Sequence, residues 1–194
     1  MAFAPPCSTQ QWRMPYALTK AVAGRQMKMK IEYTPIGTIH SPHTETTGMP
    51  IQSSGAPGVK GTVEIFEPYA DGLRDLDGFS HIILLYGFHR ANGYDLEVVP
   101  FLDTKPHGVF ATRAPKRPNP IGLSVVRLVR ADGRMLYVEN IDVLDQTPLL
   151  DIKPYVPEFD VPENKSPDNV RTGWLETVEK TEISRKSDDR FSRP

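Results

Sequence analysis

Residues 121–144, IGLSVVRLVRADGRMLYVENIDVL, decide the fold class. Ile121–Arg130 and Met135–Leu144 are two runs rich in β-branched and apolar residues, separated by Ala131-Asp132-Gly133-Arg134. Asp-Gly between such runs is a strong hairpin signal, because tight two-residue turns need residues that accept positive φ. Moving outward, RAPKRPNP (113–120) holds three prolines in eight residues and cannot be helical. GVFAT (108–112) reads as a short strand, and Glu97–Leu102 as short and extended. FSHIILLYGF (79–88) is too short for a typical helix and suits a strand buried on both faces. VKGTVEIF (59–66) alternates, with Val59, Gly61, Val63 and Ile65 on one face, so a half-buried strand is expected. IEYTPIGTIH (31–40) reads as a first strand interrupted near Pro35, and Tyr69–Leu76 as one short helical turn. Downstream, DQTPLLDIKPYVP (145–157) is extended and broken by proline. Six or seven short strands with frequent turn signals predict an all-β sandwich or barrel.

Composition agrees. The 194 residues include 19 prolines and 14 glycines, which disfavours long helices. Charged residues are 24% and the net charge is −1, which excludes a protein coated in basic charge. A single cysteine, Cys7, excludes an internal disulfide framework and any multi-cysteine metal site. No apolar run is long enough to span a membrane. Residues 1–28 lack strand alternation and a helical stripe, and read as a disordered extension ahead of a domain spanning 29–160. Residues 161–194 form a polar tail in which Val170–Leu175 is the only stretch expected to order.

Familiar nucleotide signatures are absent: there is no Gly-x-Gly-x-x-Gly, no phosphate-binding Gly-x-x-x-x-Gly-Lys, and no Gly-x-Ser-x-Gly elbow. His40 and His43 flank Ser41-Pro42 without a third ligand nearby, so no metal is expected. Charge is more informative. Between Lys105 and Arg134 lie seven basic residues and one acid, Asp132. Arg127, Arg130 and Arg134 read equally well as an anion-facing set or as the solvated face of a hairpin. Arg113, Lys116 and Arg117 sit on a proline-stiffened loop, where fixed cations suit a carboxylate or phosphate. Asp145–Tyr155 gathers Asp151, Lys153 and Tyr155 either as a site or as a surface ion pair on a charged loop.

Four stretches in order, IGTIHSPH (36–43), FSHIILLYGFHR (79–90), ATRAPKRPNPIGLS (111–124) and DQTPLLDIKPYVP (145–157), resemble the TsaA-like, TrmO-type family. The resemblance covers roughly residues 31–160. It implies a small antiparallel β-barrel with short helical turns, which binds S-adenosylmethionine without a Rossmann fingerprint and forms homodimers. It further implies a cytoplasmic methyltransferase acting on N6 of threonylcarbamoyladenosine beside the anticodon of tRNA.

By position, the implied cofactor contacts are Pro50, Ile51, Gln52, His89, Arg90, Arg113, Leu123, Asp145, Gln146, Thr147 and Pro148. Arg113 or Arg90 would take the cofactor's carboxylate, and Asp145 a ribose hydroxyl or the adenine amine. Asp151, Lys153 and Tyr155 are the catalytic candidates, with Asp151 the expected base. Lys116 and Arg117 are expected to meet RNA. Two departures stand out. Gln146 occupies a position usually held by glycine in the family, and the chain ends after the polar tail where bacterial members continue into a further domain. A methyltransferase for another RNA or small molecule, and a non-catalytic cofactor-binding module, are the alternatives.

Overall fold

The computed structural model describes residues 30–161, 170–178 and 186–191. The expected N-terminal extension, 1–28, lies outside the described residues. Residues 30–32 fall in a separate unit, Met1–Glu32; the barrel and its appendages belong to the unit Tyr33–Pro194.

Six antiparallel strands close into a barrel. They are Gly37–His40 (β1), Lys60–Ile65 (β2), His81–Gly87 (β3), Ile121–Asp132 (β6), Met135–Glu139 (β7) and Thr147–Pro154 (β8). Their order around the barrel is β1-β2-β7-β6-β3-β8, with β8 pairing back onto β1 through Ile39↔Thr147 and Gly37↔Leu149. Closure leaves no unpaired strand edge, which suits strands this short. Two-residue strands Glu97–Val98 (β4) and His107–Gly108 (β5) pair separately.

Strand alternation fills the interior. Ile39, Val63, Ile65, Ile82, Leu84, Val126, Leu136, Val138 and Leu149 are all but inaccessible and form one core with Tyr86, Leu128, Ile141 and Val143. The β6–β7 hairpin turns on Gly133-Arg134, since Asp132 pairs with Met135, and Gly133 takes φ 56° at the first central position. A type II′ turn places glycine there. Two register shifts bend the barrel: one between Leu85 and Tyr86 against β8, the other between Leu128 and Arg130 against β7.

The all-β barrel is as expected, and several element boundaries differ. The first strand is only Gly37–His40. GVFAT is not a strand beyond Gly108: Val109–Ala111 is a 3₁₀ turn, closed by Thr112, whose N–H and Oγ1 both donate to the Val109 carbonyl. The second hairpin strand stops at Glu139 rather than Leu144, because Asn140 adopts φ 67° and redirects the chain. FSHIILLYGF buries Ile82, Leu84 and Tyr86 fully, while Ile83 and Leu85 on its outer face stay half-buried. The expected turn within Tyr69–Leu76 becomes two 3₁₀ segments, Glu67–Leu73 and Leu76–Gly78. In the tail, the ordered 3₁₀ turn is Gly173–Thr177, and a second ordered stretch, 186–191, was not foreseen. It joins a small satellite core: Val98, Val109 and Ala114, with Phe191 packed against them.

Candidate functional site

The loops at one end of β3, β6 and β8 enclose a cavity of about 540 Å³, with a smaller one of about 90 Å³ beside it. Thr46, Met49, Tyr86, Phe88, Asp142 and Phe191 border both. Pro50, Ile51, Gln52, Arg113 and Leu123 line the larger cavity; His89, Arg90 and Thr147 line the smaller. Residues from five separate stretches of sequence therefore line these two cavities. Volume and lining fall within the range of small-ligand sites. Asp145, Gln146 and Pro148 border neither cavity.

Local hydrogen bonds position each contributor. Gly55 N–H and Ala56 N–H fold back onto the carbonyls of Gln52 and Ser53, fixing the loop after Pro50. His89-Arg90 lie in a tight turn closed by Ala91 N–H donating to Phe88 O, while Phe88 N–H donates to Pro120 O. Arg113 follows Thr112, whose Oγ1 also accepts from Ala114 N–H at 3.3 Å. Arg117 Nη1 donates to Thr112 O at 3.2 Å, and Arg117 N–H to Pro115 O. The proline-stiffened loop is thus stapled by its own hydrogen bonds, and Arg117 also borders the larger cavity. Lys116, half-buried, receives the Asp95 N–H on its carbonyl.

Beneath the cavities runs a buried polar chain. Ser124 Oγ donates to Asp142 Oδ1 at 2.6 Å, so its remaining contact, 3.0 Å from Tyr86 Oη, is made by the tyrosine hydroxyl donating. Burial pushes the Asp142 carboxyl above the ordinary carboxylate range, opposed by the Ser124 hydrogen bond and by nearby His43 and Arg113. Burial and the Asp142 charge likewise hold the Tyr86 phenol well above its usual range, so it stays protonated. His89 is shifted down by burial and by Arg90, keeping the ring neutral. Thr147 Oγ1 donates to Leu144 O at 2.6 Å and lies 3.2 Å from His89 Nδ1. Nδ1 then carries the proton, leaving Nε2 as an acceptor. Sequence reading passed over Tyr86, Ser124 and Asp142. The available signal was a polar residue at a core-facing position: Ser124 alternates with buried Gly122 and Val126, and Tyr86 with Ile82 and Leu84.

Asp145 is engaged elsewhere. Oδ1 accepts from Ser41 N–H at 3.0 Å, Oδ2 from Gln146 Nε2, and its own N–H donates to His43 O at 2.7 Å. Burial alone would raise its pKa, but these hydrogen bonds and nearby His40 outweigh it and lower it. Gln146 indeed takes φ 61°. Asp151 and Lys153 pair with each other at 2.7 Å on the outer face of β8. The register Leu123↔Leu85↔Asp151 sets Asp151 two strands from Leu123, about 10 Å away. Tyr155 lies edge-on to His81. None of these three borders the cavities. The hairpin cations are paired along the barrel wall: Arg127 with Glu139, Arg130 with Asp132 and over the Tyr137 ring, Arg134 near Glu64. Among the described residues, no three His, Cys, Asp or Glu side chains gather as a metal would require.

The family model for the tRNA-methyltransferase O N-terminal domain matches residues 38–161. The chain belongs to that family. This is the family that the four sequence motifs indicated. A Pyrococcus abyssi protein named "Probable S-adenosyl-L-methionine-binding protein" is 56% identical over 85% of this chain and 87% of its own length. A mouse tRNA (adenine(37)-N6)-methyltransferase is 38% identical over 70% of this chain and 33% of its own. The crystal structure of TrmO from Pseudomonas aeruginosa superimposes with a TM-score of 0.61 at 40% identity, covering 75% of this chain and 63% of that one. The chain thus spans a little under two thirds of the solved TrmO chain and a third of the mouse protein.

Proposed function

We propose that this TrmO-family chain binds S-adenosylmethionine in the paired cavities and methylates N6 of threonylcarbamoyladenosine in a tRNA anticodon loop. The reading rests on one observation above all: family-implied residues from stretches 50–52, 89–90, 113, 123 and 147 border two adjoining cavities. Their chemistry suits the cofactor. Arg113 offers a guanidinium fork for a carboxylate, Arg90 a second cation, and Tyr86, Phe88, Phe101 and Leu123 apolar walls for a nucleoside. Bound S-adenosylmethionine supplies an electrophilic methyl group. The chain must then orient the acceptor and receive its proton.

In this proposal Asp142 accepts that proton. Among the described residues it is the carboxylate bordering both cavities, and its raised pKa makes it a better proton acceptor than an ordinary carboxylate. The Tyr86 and Ser124 hydroxyls hold it in place. Asp151 and Lys153 lie on the outer face of β8, with Asp151 in the row of Leu123 and Leu85, where they can meet RNA, and Tyr155 follows them edge-on to His81. Lys116 and Arg117 are assigned to the RNA backbone or the threonyl carboxylate, so replacing both with alanine should flatten the salt dependence of tRNA affinity. Exposed Ile121 and Leu123 are offered as part of a homodimer contact. No described helix is long and apolar enough to cross a membrane. The proposed tRNA acceptor is the ground for proposing a cytoplasmic activity.

The test is methyl transfer from labelled cofactor to tRNA with and without the threonylcarbamoyl group, followed by nucleoside digestion. Label on the modified adenosine alone is expected. Asp142→Asn should lower kcat by about 100-fold or more while cofactor affinity persists. Arg113→Ala should lose cofactor affinity instead. Cofactor binding with no transfer to either tRNA would overturn the acceptor and favour a binding module, the role named for several relatives.

A further inference from the structure

Residues 186–191 lie beyond the family-matched span 38–161, yet they are built into the cavity wall. Lys186 forms an antiparallel bridge with Pro50. Ser187 N–H donates to Met49 O at 2.9 Å, Gly48 N–H donates to Ser187 O at 2.8 Å, and Ser187 Oγ donates to Thr46 O at 2.6 Å while accepting from Met49 N–H. Ser187 is consequently one of the few buried polar residues. On the far side of the segment, Arg190 Nη1 donates to Pro100 O at 2.6 Å and its guanidinium is clamped by Asp188. Phe191 meets Phe101 edge-on at 5.1 Å and packs on the satellite core. The segment straps two loops together: the one leading into Pro50-Ile51-Gln52, and the one carrying Phe101.

Phe191 borders the larger cavity, its small neighbour, and a third cavity of about 450 Å³ lined by Phe110, Trp174 and Leu175. Among the described residues it alone lines all three. Phe101 meets it at right angles, and Phe191 lines the larger cavity together with Arg113 and Leu123, so an aromatic side chain forms part of that wall. A nucleoside base needs such a flat apolar surface, and aromatic packing adds to plain area burial.

We propose that this strap is part of the cofactor site: Phe191 packs against the nucleoside end of S-adenosylmethionine, and Ser187 is a positioning residue that holds the Pro50–Gln52 loop in its binding conformation. The proposal rests on the cofactor reading above. Arg113 takes the carboxylate end independently, so the two contacts are separable by fragment.

The experiment is calorimetry on the full chain with S-adenosylhomocysteine and with 5′-methylthioadenosine, which lacks the amino-acid carboxylate. Phe191→Ala should weaken both ligands by about tenfold. Arg113→Ala should weaken only S-adenosylhomocysteine. Phe191→Tyr should restore binding, and Phe191→Leu, which keeps apolar contact with Phe101, should still bind weakly if the alanine variant fails to fold. Ser187→Ala should weaken both ligands and raise hydrogen exchange at 48–52 in the free protein. Wild-type affinity retained in both Phe191→Ala and Phe191→Leu would overturn the strap proposal alone. No binding of either ligand by the wild type would sink it together with the cofactor reading.

Discussion

Gln146 holds φ at 61°, a conformation that costs an L-residue with a Cβ about 1 kcal/mol or more. Two side-chain hydrogen bonds offset part of this, from Nε2 to Asp145 Oδ2 at 3.2 Å and to His40 Nδ1 at 3.1 Å, but both are exposed. Exposed bonds of this kind contribute little, so the strain should dominate. Gln146→Gly is therefore expected to raise Tm by about 2–4 °C, corresponding to roughly 1 kcal/mol in a domain of this size. Thermal melting checks it; a fall in Tm would show that the side-chain bonds outweigh the backbone cost. At this scale the site was only partly legible. Arg113 stood out because prolines flank its loop on a short stretch of sequence. Asp145 looked like a ligand acceptor for the same chemical reason that it makes a good latch, and its partner Ser41 lies 104 positions away. A carboxylate's partner at that separation is invisible until the chain is folded.

Strands carry their own spatial constraint at Gly122 in β6. A Cβ there would lie 2.2 Å from Tyr86 Cε2 and 2.5 Å from Cζ. The Tyr86 ring cannot retreat, because it is buried in the core and its hydroxyl is held by Ser124. Gly122→Ala should destabilise by about 1–3 kcal/mol and reduce cofactor affinity, since Gly122 and Tyr86 both border the larger cavity. Gly72→Ala, where nothing lies within 4 Å of the added methyl, is the matched control and should leave both unchanged. Equal denaturation midpoints for the two variants would refute the packing argument. The elements themselves were legible wherever a local rule governs: alternation marked β2, a run of β-branched and apolar residues marked β6, and Asp-Gly marked the hairpin. Boundaries slipped where a single backbone angle or side-chain bond overrode the pattern. Asn140 ends β7 inside an apolar run, and Thr112 curls GVFAT into a 3₁₀ turn. The ordering of 186–191 has no local signal at all, because it depends on loops some 140 and 90 residues earlier.

For the whole molecule, the buried polar chain should leave a mark on stability as a function of pH. Asp142 has its pKa raised by burial, so between the ordinary carboxylate value and its own, the folded protein binds more protons than the unfolded chain. Stability attributable to Asp142 therefore falls as pH rises through that window, and the full penalty persists above it. Asp145, three residues away, has a lowered pKa and the opposite sign: its contribution is complete above the ordinary value and is lost as pH falls through its own lower one. Asn at position 142 mimics the protonated acid and can still accept from Ser124. Asp142→Asn should thus match the wild type near pH 3 and exceed it near pH 7 by on the order of 1 kcal/mol. Asp145→Asn should do the reverse, falling below the wild type near neutrality by a similar amount while converging at low pH. Urea midpoints measured from pH 3 to 8 on the three proteins decide the matter. If Asp142→Asn tracks the wild type across the range, the carboxylate carries no burial penalty. The case for it as a base held ready at some expense of stability would then lose its energetic support.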